Sequence, residues 1–193
     1  MADTKNSQGV PDALGFRLWI AAIGASLVAL CLYSLTVAGY LFPEPATSLA
    51  TKWMGMDALK EPLHPVWGMI VKAVGGGSFP ASVGLRLNLL SVACGVLSAG
   101  LLCGLVGFFV YQTIHHEDTV KFARSASVLA GLVASFVFVF SSAAWQASTH
   151  LGYNVFDVFL ALLVLSLFIP AVHWPRTLPY CVGMIGVGVG VFL

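Results

Sequence analysis

Charge is what this sequence has least of. Asp, Glu, Lys and Arg together make up 9% of its 193 residues, against about 25% in ordinary soluble domains. A chain so poor in charge cannot cover a globular surface with solvated groups, and with 59% hydrophobic residues it belongs in a bilayer. The nine Lys and Arg are scattered and leave a net charge of +1. That excludes the dense basic face that a nucleic acid or a polybasic lipid site requires. Metal-type cysteine patterns are missing too. Cys31, Cys94, Cys103 and Cys181 stand apart inside apolar runs, with no C-x-x-C or Cys/His spacing, so they read as small packing residues.

What the chain has instead is a series of long apolar runs. Residues 1–15 form a polar tail whose Pro11-Asp12 pair suits the opening of a helix. Residues 16–42 exceed the roughly 20 needed to span a bilayer and are too long for the apolar part of a cleaved signal. They predict a first transmembrane helix. The next stretch, 43–61, is polar, holding Glu44, Lys52, Asp57, Lys60 and Glu61, with Pro45 and Pro62 as breakers. Residues 64–74 are apolar again but too short to cross, and end in Gly75-Gly76-Gly77. A helix of that length is expected to lie at the membrane surface, with Pro65 in its first turn and Lys72 reaching outward on its long stem.

Ser78 and Pro80 suggest the start of the next helix, which carries Arg86 and Asn88 in its first turns and runs to Ile114. Ser91, Gly95, Ala99, Cys103 and Gly107 recur every fourth residue along it, a strip of small side chains that lets another helix approach closely. The polar stretch "HHEDTVKFAR" at 115–124 follows. Its adjacent His115 and His116 would point roughly 100° apart on a helix and cannot share one ion from it, so a membrane-edge loop is expected, not a metal site. Further spanning runs are expected at 127–144 and, after a weak break at "WQASTHLGY", at 153–169. A last apolar run, 178–193, stops without a polar flank. The expected fold is therefore an all-α polytopic bundle of four to five spanning helices with a short interfacial helix in its first external loop. Residues 16–193 would be the N-terminal portion of one transmembrane domain in a longer protein.

Polar residues held near the membrane are the functional candidates, because exposing an acid to lipid costs several kcal/mol. Gln146, His150, Asn154 and Asp157 are spaced so that they would line one face if the helix ran unbroken there. Pairing of Asp157 with a neighbour, for packing alone, is the competing reading. Basic residues do not orient the chain: Lys5, Arg17, Lys121, Arg124 and Arg176 would face one side and Lys52, Lys60, Lys72 and Arg86 the other, too even a split for the positive-inside rule.

The segment "LRLNLLSVACGVLSAGLLCGLVGFF", with Arg86, Asn88, Leu89, Leu90 and Ser91, resembles the first block of a bacterial polytopic family of unknown-function proteins related to protein O-mannosyltransferases. His64 and Pro65 in "PLHPVWG" match its His-Pro motif. "SLTVAGYLF" is similar to the end of its first helix, and "AWQASTHLGYNVFDVFLALLVLSLF" to its later W-x-Q…Y block. The resemblance spans about residues 25–170. It implies a glycosyltransferase-C type fold in the inner membrane of a bacterium, with the loop from Pro43 to Pro80 facing the periplasm or outside. It also implies transfer of a sugar from a polyprenyl-phosphate donor to a protein or glycan hydroxyl.

Such a transfer needs a carboxylate that takes the acceptor proton or holds a metal, and cations that stabilise charge on the departing phosphate. Glu44, held between Pro43 and Pro45, is the first candidate for the carboxylate, with Asp57 and Glu61 behind it. Arg86, His64, Lys60 and Asn88 are the candidates for binding the donor, Arg86 because a planar guanidinium grips two phosphate oxygens. His150, Asn154 and Asp157 form a second polar cluster. The cofactor stays open, a divalent metal beside the carboxylate being compatible with this chemistry. Where the resembling family carries further acids, this chain has a single Glu between prolines and, in the later block, Leu151. Two other classes therefore remain: a transporter or flippase for a lipid or small solute, which calls for paired broken helices, and a non-catalytic membrane subunit.

Overall fold

The computed structural model describes residues 12–37, 65–77, 81–114 and 120–173, and every regular element among them is an α-helix: α1 (Asp12–Thr36), α2 (Pro65–Gly75), α3 (Val83–Ile114), α4 (Val120–Phe140), α5 (Ser142–Thr149) and α6 (Asn154–His173). Three of them, α1, α3 and α4, are long and apolar enough to cross a membrane, and α5 with α6 makes a fourth if that bent pair counts as one span. The expected all-α bundle with a short apolar helix is what forms. The fifth candidate span, 178–193, lies outside the described residues, as do His115 and His116.

α3 is the axis of the molecule and packs against each of the other helices. Its strip of Ser91, Gly95, Ala99, Cys103 and Gly107 is buried throughout. α4 answers with a strip of its own, Ala123, Ser127, Gly131, Ser135 and Val139, all buried and again four apart. Ser135 Oγ donates to Ala99 O at 2.9 Å, Gly131 sits directly on the Cys103 carbonyl, and Gly107 sits on the Ser127 carbonyl. Each step forward along α4 meets a step back along α3, so the two run antiparallel at close range. With small side chains along most of this seam, Val139 at its end excepted, the backbones approach closely enough for extended van der Waals contact, the main attraction available between helices in lipid.

α1 packs beside α4 against the same helix, α3. Ala21, Ala25 and Ala29 are buried on its inner face, Ser26 Oγ donates to Val96 O at 3.3 Å, and Leu18 reaches Gly107. Rising along α1 again means descending along α3. Tyr33, fully buried, donates its hydroxyl to Val139 O at 3.3 Å and ties α1 to the end of α4. The outer faces are apolar and exposed, with Trp19 at 71% and Leu35 at 87% on α1 and Phe122 at 68% on α4. These are surfaces for lipid, since nothing in water would tolerate so large an apolar area.

Three boundaries differ from the sequence expectation, each for a local reason. α1 opens at Asp12, so the end of the polar tail is already helical. α3 is capped by Ser82, later than Ser78: its Oγ accepts from Leu85 N at 3.3 Å and its carbonyl from Arg86 N at 3.1 Å. The run expected as one helix over 127–144 instead ends at Phe140. There Ser141 leaves helical geometry, at φ −69 and ψ 136, and caps α5 by accepting from Ala144 N.

Candidate functional site

Because α1 and α3 are antiparallel, the C-terminal end of α1 and the N-terminal end of α3 lie at one end of the bundle. The end of α4, the break between α5 and α6, and α2 join them there. Trp145 on α5 donates its indole N–H to Thr36 Oγ1 at the end of α1, at 3.0 Å. α2 inserts Trp67 and Val71, both fully buried, between the first turns of α3 and α6, where they meet Leu87, Val155 and Phe156. The rings of Trp67 and Phe156 are 4.9 Å apart and inclined by 31°, a contact worth about 0.5–1.5 kcal/mol beyond the area it buries. Met69 and Lys72 occupy the exposed side of α2, so the helix is anchored by one face and open on the other.

Arg86 fastens the other end of α2. Its Nη1 donates to Gly77 O and, at 3.4 Å, to Val74 O, while its Nε is buried without a hydrogen-bond partner. The last carbonyls of a helix lack intrahelical donors and carry the negative end of its dipole, so a guanidinium placed there is doubly favoured. The side chain read from the sequence as a phosphate grip is, in this structure, engaged with the C-terminus of α2.

Asn88 sits two residues further along α3, 1% exposed, and its Oδ1 accepts from Leu151 N at 2.9 Å. That bond explains how the chain breaks between α5 and α6. At Thr149 the hydroxyl bonds back to Trp145 O at 2.8 Å, His150 N closes the last turn on Gln146 O, and His150 itself is extended, at φ −124 and ψ 148. The following N–H would be orphaned in a region where water is scarce. Asn88 supplies its acceptor. α6 then leaves at 107° to α5.

The bend removes the unbroken helix on which Gln146, His150, Asn154 and Asp157 would have lined one face. Gln146 is exposed on α5, His150 is at the break, and Asn154 and Asp157 belong to the first turn of α6. His150 Nδ1 lies 2.9 Å from Thr149 Oγ1, and Asp157 N bonds to Tyr153 O at 2.9 Å. Of the remaining candidates, Glu44, Asp57, Lys60, Glu61 and His64 lie outside the described residues. Among the described residues no three His, Cys, Asp or Glu side chains gather as a metal would require. Trp67 and Thr149 were not singled out by sequence, and only the proximity of Thr149 to His150 offered a signal.

A bundle of spanning helices with lipid-facing flanks and a polar, capped, interrupted end defines an integral membrane protein. Residues 61–191 match the family described as the protein O-mannosyl-transferase TMEM260 N-terminal domain, and the chain belongs to that family. Arg86, Asn88, His64 and the α5–α6 break fall inside the matched stretch; Glu44, Asp57 and Lys60 precede it. No curated protein and no solved structure matches the chain.

Proposed function

We propose that this chain is the membrane-embedded N-terminal portion of a glycosyltransferase-C type enzyme. It would transfer mannose from a polyprenyl-phosphate-linked donor to a protein Ser/Thr hydroxyl at the non-cytoplasmic face. Membership of a protein O-mannosyltransferase family supports the reaction class. The observation that carries the site is the antiparallel packing of α1 on α3. The last turn of α1 and the helix α2, the described elements on either side of the sequence stretch that holds Glu44, Asp57, Lys60 and His64, stand at the same end of the bundle as Arg86 and the α5–α6 break.

In this reading Glu44, or failing it Asp57, takes the proton of the acceptor hydroxyl; were a divalent metal used, the same carboxylate would hold it and the metal would supply positive charge for the leaving phosphate. Lys60 and His64 offset the charge that grows on the phosphate as the bond to the sugar breaks. Arg86 serves the donor through α2, by holding in place the helix that follows His64 in the sequence. The test is transfer of labelled mannose from a polyprenyl-phosphate donor by the full-length protein in membranes. Glu44→Gln is expected to abolish transfer while the protein remains in the membrane at parental level. Full activity in both Glu44→Gln and Asp57→Asn would remove this loop from the mechanism.

One observation favours a second reading. α5 with α6 is an interrupted apolar segment in addition to α2, and interrupted helices line the solute paths of carriers. A flippase would move a labelled polyprenyl-phosphate lipid between leaflets with no acceptor present, and a transferase would not.

A further inference from the structure

The packing of α1 on α4 brings two arginines to one groove. Ala21 and Ala25 on α1 pack with Val128 and Leu132 on α4, and Leu18 packs with Ala123. Arg17 stands one turn before Ala21, and Arg124 one turn before Val128. Residues four apart share a helix face. Since α1 and α4 are both antiparallel to α3 they run in the same direction, and one turn back from each contact leads to the same place. The two guanidinium side chains therefore start at the mouth of the α1–α4 groove, at the end of the bundle where α3 finishes and α4 begins. Lys121, three residues before Arg124, adds a third cation from the next turn.

This charge is not balanced from within. Arg17 and Lys121 are exposed, and Arg124 is half-buried, its Nε shut off from solvent and without a hydrogen-bond partner. Among the described residues no acid pairs with any of the three. Like charges gathered at the edge of a low-dielectric region repel, and a guanidinium nitrogen withdrawn from water needs an acceptor. One anion between the helices answers both demands. The apolar surface beside the cations says which anion. Ile20 and Gly24 continue the side of α1 that carries Arg17, three and seven residues on, and Leu129 lies next to Val128 on α4; all three are exposed. Cations at the membrane edge, with apolar surface running from them into the bilayer, match a charged headgroup and its acyl chains. A pocket between two helices needs fewer basic residues than a polybasic surface does.

We propose that the α1–α4 groove binds one anionic phospholipid, its phosphate held by Arg17 and Arg124 with Lys121 beside them, and an acyl chain lying along Ile20, Gly24 and Leu129. A planar guanidinium can bond two phosphate oxygens at once, which a lysine cannot. The site is at the opposite end of the bundle from Arg86 and the α5–α6 break, and it does not depend on the transferase reading.

The full-length protein in detergent is mixed with phosphatidylglycerol or phosphatidylcholine, and bound lipid is counted by native mass spectrometry. The parent is expected to hold one phosphatidylglycerol about tenfold more tightly than phosphatidylcholine, and to unfold at a higher temperature with it. Arg124→Gln should weaken that lipid about tenfold, the size of one charge-assisted hydrogen bond, with Arg124→Lys in between. Arg17→Gln, at an exposed position where folding is not at stake, should do the same. Lys72→Gln, at the other end of the bundle, should change nothing; an equal loss there would make the effect one of bulk charge and overturn the site. Equal binding of the two lipids by the parent, or a preference that survives both arginine variants, overturns the proposal. Inorganic phosphate should fail to displace the lipid. Full displacement would make this a site for a soluble anion and overturn the lipid assignment.

Discussion

At the scale of single residues, the polar side chains at the interrupted end of the bundle act first on the backbone. Asn88 gives the clearest case. Its Oδ1 is the acceptor for an N–H freed by the break, and both groups are buried. Asn88→Ala should therefore cost about 1–3 kcal/mol, the penalty of an unsatisfied buried donor. A lowered unfolding midpoint in detergent, with the protein still inserted, is the expected outcome. Arg86 gives the second case. Because Nη1 caps α2, Arg86→Met should free the end of α2 at 74–77, seen as faster hydrogen exchange or protease cleavage there. Arg86→Lys should restore part of the protection, since an ammonium can still reach one carbonyl. A residue devoted to the donor phosphate would leave that protection unchanged in both variants.

At the scale of elements, the strips on α3 and α4 make opposite predictions for glycines on one helix pair. A Cβ on Gly131 would collide with the carbonyl of Cys103, a backbone atom that cannot swing aside, whereas a Cβ on Gly104 meets nothing within 4 Å. Gly131→Val should force α4 off α3 and cost several kcal/mol, toward the upper end of overpacking effects. Gly104→Ala should be neutral or slightly stabilising, by reducing backbone freedom in the unfolded chain. Thermal unfolding of the two variants side by side checks this. The α3 strip was legible in the sequence because five small residues at intervals of four are hard to produce otherwise. The α4 strip has the same spacing, but Val139 and the surrounding Phe and Leu residues disguise it. The apolar runs gave the approximate position of every described spanning helix, since length and hydropathy suffice for that. They missed the end of α4 at Phe140, where the chain stays apolar and only Ser141 marks the cap. They also missed how completely "WQASTHLGY" breaks. That depends on an acceptor 63 residues away in sequence, which no local pattern contains. The catalytic candidates came from chemistry and resemblance; the hold of Arg86 on the end of α2 was not legible that way, because it depends on carbonyls nine and twelve residues back in the chain.

At the scale of the whole molecule, the alternation of helix directions fixes which loops share a side. α1 and α4 both run antiparallel to α3. The end of α1 and the start of α3 then lie at one end of the bundle, and the end of α3 and the start of α4 at the other, whichever face of the membrane each end meets. Charge does not orient the bundle, because among the described residues Arg17, Lys121 and Arg124 stand toward the second of these ends and Lys72 and Arg86 toward the first. Labelling can. The native cysteines all lie in apolar runs, out of reach of a membrane-impermeant thiol reagent, so single cysteines introduced at positions 44, 78 and 117 report alone. In intact cells the first two are expected to react from outside, and the third only after the membrane is opened. Reaction of 44 and 78 from opposite sides would contradict the packing of α1 on α3. Reaction of both only after opening would leave the packing intact but put the loop that carries Glu44 in the cytoplasm, and sugar transfer at the outer face would have to be abandoned.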